Sequence, residues 1–148
     1  MCIRDRGSLL AIADVMGQID AISERGTVVV IDPRRTGTAE RADRWMPIKP
    51  GTDAALQLAV VHVLFEEGLI DLGHLDALVR NLDVVERVAA DFPPERVAET
   101  CGIAAEDIRT LARDFAAADS AVWYARICLL YTSPSPRDAT LSRMPSSA

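Results

Sequence analysis

Cysteine is scarce in this sequence. Cys2, Cys101 and Cys128 are widely separated and form no CxxC, which excludes a disulfide framework and a cysteine-based metal site. Histidine is scarcer. His62 and His74 each fall in a helical pattern without a partner at i+3 or i+4, so each reads as a solvated or satisfied side chain, and no metal ligand is assigned. Positive charge is not in excess either. A formal net charge of -6 argues against a nucleic-acid polymer as partner, which requires clustered Lys and Arg. The longest apolar run, Ala54 to Phe65, is broken by Gln57 and His62; it is too short to span a bilayer and suits a buried helix. The opening Met-Cys-Ile-Arg-Asp-Arg lacks the apolar stretch of a signal peptide, and the compartment stays unassigned. What is present is globular in character: 49% hydrophobic and 26% charged residues, in a chain long enough to bury one core.

The two ends differ from the interior. The closing CLLYTSPSPRDATLSRMPSSA is rich in Ser, Pro and Thr and has no period, which by itself reads as a linker or tail. Its codons suggest more. Met1 to Arg6 can be encoded by ATGTGTATAAGAGACAG plus one base, and the reverse complement of that string, read from its second base, encodes Cys128 to Thr132. A short inverted repeat of this kind resembles the transposon end used in sequencing-library preparation, and Ser142 to Ala148 resembles translated adapter as well. Residues 1–6 and 128–148 are therefore expected to carry no fold or function, leaving 7–127 as the biological segment, with Cys101 its only cysteine.

Within 7–127 helix and strand patterns alternate. Leu9 to Glu24 carries Ile12, Val15, Met16, Ile19 and Ile22 as a helical stripe, closed by Gly26 as C-terminal cap. Thr27 to Ile31 is a continuous β-branched run, the mark of a strand covered on both faces, and Asp32-Pro33 ends it. A helical turn is predicted at Thr38 to Ala42 and a second strand at Trp45 to Ile48. Thr52 is the expected N-cap of a buried helix that stops at Gly68. Shorter helices are predicted near Leu72–Arg80, Val84–Ala90 and Pro94–Thr100. A last one spans Ala105–Ala117, with Ile108, Leu111, Ala112 and Phe115 on one face. Ala121 to Ile127 reads as a returning strand. The fold class expected is α/β: a partial Rossmann-like parallel sheet with flanking helices and a right-handed crossover, a fragment of a larger multidomain enzyme.

Two segments break the core-building pattern. In Ile31-Asp32-Pro33-Arg34-Arg35-Thr36-Gly37-Thr38-Ala39, an acidic residue at a strand's carboxyl end can accept from ribose hydroxyls, two guanidinium forks can grip phosphate or stack on a base, and Thr36 and Thr38 add hydroxyl donors. The alternative is a turn with solvated arginines. In Pro50-Gly51-Thr52-Asp53, Gly51 permits close approach of a ligand, and the helix start behind it favours an anion. Asp53 either caps its own helix or accepts from a guanine edge. The segments flank the second predicted strand and are expected to converge on one mouth of the sheet.

VVVIDPRRTGTAERAD followed by PIKPGTDAAL resembles the molybdopterin oxidoreductase family, the group of formate dehydrogenases, nitrate reductases and dimethyl-sulfoxide-reductase-like enzymes. FPPERVAETCGIAAEDIRTLARDFAAADSAVWYARI resembles it too. The resemblance implies that Asp32, Pro33, Arg34, Arg35 and Thr36 form one wall of a pocket for the guanosine end of a molybdenum bis(molybdopterin guanine dinucleotide) cofactor. Gly51, Thr52 and Asp53 would form the other wall. It implies a parent enzyme with two-electron chemistry at molybdenum or tungsten and a 4Fe-4S cluster that this segment does not bind. No catalytic residue or metal ligand is assigned here. Leu9 stands where the family often has Asn and Ala125 where it often has Gly, so the turn before Leu9 and Tyr124 and Arg126 are left without roles. Cys101 reads as a small buried apolar residue. The partners implied are the cofactor dinucleotide, further domains of the parent chain and electron-transfer subunits, with no membrane span in this segment. Two other readings stay open on the residues alone. One is a nicotinamide-dependent dehydrogenase domain, which lacks its G-x-G-x-x-G; the other is a non-catalytic helical interaction module after Leu69.

Overall fold

The computed structural model describes residues 14–124. Its elements run α1 (Val15–Ser23), β1 (Val29–Ile31), α2 (Gly37–Arg41), β2 (Arg44–Met46) and α3 (Asp53–Glu66). A 3-10 turn (Gly73–Leu75) follows, then α4 (Leu82–Ala89), α5 (Pro94–Cys101) and α6 (Ala105–Ala117). The two strands pair in parallel, Val29 opposite Arg44, Val30 opposite Trp45 and Ile31 opposite Met46. The α/β class with flanking helices is thus observed, on a two-stranded sheet among the described residues.

Successive strand residues point to opposite faces, and both faces are covered. Val30 packs on one side with Ala39 of α2 and with Val28, Ala42 and Trp45. Ile31 and Met46 point the other way, into a core shared with Ile48, Leu56 and Val63 beside α3, Val97 and Cys101 of α5, and Ile108 and Leu111 of α6. This double burial explains why Val28 to Ile31 reads as an unbroken β-branched run rather than an alternating one, while Thr27, predicted to open the strand, is exposed and outside it. Asp43 anchors the entering end of the sheet: its Oδ2 accepts from the Val28 amide at 2.7 Å and the Ser23 hydroxyl at 3.0 Å. Those two donors hold its carboxyl below the usual aspartate range.

The helices follow local chemistry. Pro94 occupies the first turn of α5, where its missing N–H costs nothing, and Gly102 closes that helix in the left-handed conformation at φ 80°. In α6 the spacing of Ile108, Leu111 and Ala112 buries all three, with Phe115 half-buried beside them. Cys101 is fully buried, as expected of a small apolar side chain.

Several expectations need correction. The Leu9–Glu24 helix begins, among the described residues, at Val15, capped by the Asp14 carboxylate on the Gly17 amide; Ile12 lies outside them. Ile22 is half-exposed; among the described elements α1 packs mainly on α2. Gly26 does not take the left-handed cap conformation; its amide still bonds Ile22 O at helical spacing. The helix predicted over Leu72–Arg80 shrinks to the single 3-10 turn: Gly73 sits at positive φ, and among the described residues Leu75, Leu78 and Val79 stay partly to mostly exposed. Residues 121–124 of the returning strand are not in a ladder, and 125–127 lie outside the described residues. Val122 is exposed, while Trp123 turns edge-on to Phe115 with centroids 6.0 Å apart. His62 does have a neighbour at i+4: its Nε2 lies 3.9 Å from Glu66, and Nδ1 lies 3.0 Å from Ala89 O. The adapter-like segments 1–6 and 128–148 lie outside the described residues as well.

At the distal end of α3 two arginines of α6 gather acidic residues from three helices. Arg109 reaches Glu66 at 2.7 Å and Glu95 at 2.9 Å, and Arg113 reaches Glu67 at 2.8 Å and Glu106 at 3.4 Å. The Arg113 guanidinium holds the Glu67 carboxyl below its ordinary 4.5, and Arg109 does the same for Glu95.

Two measurements follow from this packing. Leu56→Ala, at a site 1% exposed, is expected to lower unfolding free energy by about 2–5 kcal/mol, read as a drop in urea midpoint at unchanged slope. Glu67 and Glu95 titrate lower folded than unfolded, so their contribution is present above pH 4.5 and lost as pH falls through the folded values. The urea midpoint should therefore hold from pH 7 to 5 and fall below about pH 4.5, and Arg109→Ala should blunt that fall.

Candidate functional site

Parallel pairing delivers the two unusual segments to the same edge. Each follows the carboxyl end of its strand, and Ile31 and Met46, the last residues before them, are register partners. The sequence expectation of a common mouth is met in this respect.

The first arm is shaped by Asp32. Its amide bonds Met46 O at 3.3 Å, prolonging the ladder by one link. The side chain is buried, and its Oδ1 accepts from the Arg34 amide at 2.8 Å, an Asx turn that reverses the chain. Arg34 and Arg35 emerge exposed and form no ion pair with any described carboxylate, whereas Arg41, Arg44, Arg87, Arg109 and Arg113 each do. Thr36 caps α2, its hydroxyl accepting from the Ala39 amide at 3.4 Å. Pro33 is half-buried between Asp32 and the arginines.

Trp45, which periodicity marks only as a strand residue, belongs to this arm. Its Nε1–H donates to Asp32 O at 3.0 Å, and its ring lies 5.9 Å from the Arg35 guanidinium carbon, within cation–π range. The available signal was the placement of a Trp on the strand next to an arginine loop.

The second arm runs from Pro47 to Asp53. Gly51 stands at φ 83°, and a Cβ built there would meet nothing within 4 Å. Thr52 occupies the N-cap position of α3, but its hydroxyl donates backwards to Lys49 O at 2.7 Å and does not cap the helix. Asp53 opens α3, is buried at 9% exposure, and its Oδ1 accepts no hydrogen bond among the described residues. A buried carboxylate oxygen without a donor is costly, and the helix's N-terminal dipole offsets only part of that cost. The geometry suits a ligand that brings N–H or O–H donors to Asp53 and anionic groups to Arg34 and Arg35.

A separate cleft of about 610 Å³ lies between Leu64, Phe65, Ile70, Leu72 and Leu82. It is at the other end of the 14-residue α3, about 20 Å from Asp53, and includes no residue of either arm. Among the described residues no group of three His, Cys, Asp or Glu side chains could hold a metal ion, and no helix is long and apolar enough to cross a membrane.

Comparison with known proteins places this edge in a wider context. Acetylene hydratase of Syntrophotalea acetylenica is 37% identical over 99 residues, covering 66% of this chain and 14% of the relative. Formate dehydrogenase H of Escherichia coli K12 is 33% identical over 103 residues, covering 70% and 14%. The solved structure of acetylene hydratase from Pelobacter acetylenicus superposes with a TM-score of 0.67 at 34% identity, over 74% of this chain and 15% of that one. The chain thus spans only about a seventh of the length of these relatives. The family model described as molybdopterin oxidoreductase matches residues 16–125, a stretch that includes both arms and, but for Val15, every helix described above, and the chain belongs to that family.

Proposed function

We propose that the two arms are one guanosine-binding mouth of a molybdenum or tungsten bis(molybdopterin guanine dinucleotide) cofactor. The observation that carries the reading is Asp53: a buried carboxylate oxygen with no described donor, at the start of the helix that follows the second arm. Guanine's N1–H and exocyclic amine are adjacent donors and would satisfy it. Arg34 and Arg35 supply charge to a diphosphate, and Trp45 steadies Arg35 from behind. Asp32 and Pro33 set the course of the first arm, and Thr36 fixes where α2 begins. Gly51 and Thr52 bring bare backbone to the ligand, since no side chain stands in the space above Gly51.

The bound group supplies two-electron chemistry at its metal in the parent enzyme. This chain's residues bind and orient the group's nucleotide end and contribute no reacting atom. The relatives' names support that division: they refer to acetylene hydration, formate dehydrogenation and nitrate reduction, yet the relatives share this segment at 33–37% identity or close to it. A segment common to such different chemistries serves what they share. The 4Fe-4S cluster, the metal ligand and the second dinucleotide pocket fall to other parts of the parent, and electron-transfer subunits are its expected partners. Family membership sets aside the nicotinamide-dehydrogenase reading, and the helices after Leu69 lie within the matched region, so they need no separate role as an interaction module.

Titration of the chain with GDP, ADP and NADH, followed by tryptophan fluorescence, tests the proposal. GDP should bind in preference to the other two by about tenfold or more, the worth of one hydrogen bond to a charged group. Asp53→Asn should remove the preference for GDP over ADP without lowering the urea midpoint, since it relieves an unpartnered buried carboxylate. Micromolar NADH binding with GDP ignored would overturn the reading.

A further inference from the structure

The second arm is held from an unexpected direction. Lys49, the chain's only lysine, lies between Pro47 and Pro50, two residues without an N–H, and makes four hydrogen bonds. Its amide donates to Cys101 O at 2.9 Å, and its ammonium donates to Glu99 O at 2.9 Å. Its carbonyl accepts from the Thr52 amide at 3.3 Å and the Thr52 hydroxyl at 2.7 Å. Glu99 and Cys101 are among the last four residues of α5, whose carbonyls have no partner within the helix and carry its negative dipole end. Lys49 therefore closes two of those carbonyls on one side and ties down the entry to α3 on the other.

Gly102 makes the seat. At φ 80° it ends α5, and a Cβ added there would stand 3.3–3.4 Å from the Lys49 stem. The lysine chain crosses the bare face of this glycine to reach Glu99. A side chain at this positive φ would strain the backbone and press the lysine stem aside by a few tenths of an ångström.

We propose that Lys49 is the positioning residue of the second arm: its side chain, latched across Gly102 onto the end of α5, sets the angle at which Gly51, Thr52 and Asp53 meet a nucleotide. The inference rests on the guanosine-mouth reading for its ligand, but the latch itself is a property of the chain alone. It explains why the Thr52 hydroxyl turns away from its own helix, since that hydroxyl completes the latch at the Lys49 carbonyl.

Amide hydrogen exchange and GDP titration of the whole chain, in Lys49→Met and Lys49→Arg, test it together. Lys49→Met should speed exchange of the Thr52 amide about three- to tenfold, leave Val60 and Val63 of α3 unchanged, and weaken GDP binding by a similar factor. Lys49→Arg, which also donates to a carbonyl, should restore most of both. Unchanged Thr52 exchange in Lys49→Met would overturn the proposal. So would a uniform rise at Thr52, Val60 and Val63 with a lower urea midpoint, which would mark a general stabilising role. A selective response at Thr52 in a protein that ignores GDP would uphold the latch and overturn the guanosine reading.

Discussion

The parallel register of two three-residue strands is the constraint on which the rest depends. With Ile31 opposite Met46, both chains leave the sheet at one edge, so a loop rich in arginine and a loop led by glycine open side by side. An antiparallel pairing of the same residues would send them to opposite ends. A slip of one residue would turn Trp45 into the main core and Met46 out of it. The register is pinned at both ends by polar contacts, Asp43 on the Val28 amide where the sheet begins and Trp45 on the Asp32 carbonyl where it stops. So short a ladder would be marginal alone; helices on both faces keep it dry.

The helical half of the molecule serves as a buttress for that edge. α3 starts at the second arm and runs away from it, α5 ends beneath the same arm, and α6 packs against both. The arginine–glutamate cluster at the distal end ties the three together far from the loops. Loops supported in this way keep a defined shape without a regular element of their own, which is how a rigid scaffold presents binding groups. Relatives that bear the names of quite different reactions share this stretch, consistent with a support on which the chemistry does not act.

Much of this was legible from the residues. α6 was readable to its ends because its acidic first turn and apolar spacing are both local. The first strand, the buried helix after Gly51 and the two arms were readable for similar reasons. What failed was whatever depended on a distant partner. Ala121 to Tyr124 has strand-forming residues but no described strand beside it, so Trp123 settles on Phe115 instead. Leu72 to Arg80 has a helical pattern whose apolar side stays largely exposed among the described residues, with Leu72 alone half-buried. Thr52 is the exception: its hydroxyl is committed to the Lys49 carbonyl only three residues back, a local contact that competes with capping. Trp45 and Lys49 were passed over because a residue's part in a site is written in its neighbours in space, and theirs lie 13 and 50 positions along the chain.

Gly51 carries a consequence for how the segment can vary. Its backbone angle disfavours a side chain, yet the volume above it is open, so an asparagine, which tolerates left-handed geometry, would meet no steric obstacle in folding. The same side chain would occupy the room that the proposed nucleotide would need. If that reading holds, the demands of the fold and of the ligand come apart here within a few atoms, and a drifting sequence could lose its cargo long before it lost its shape.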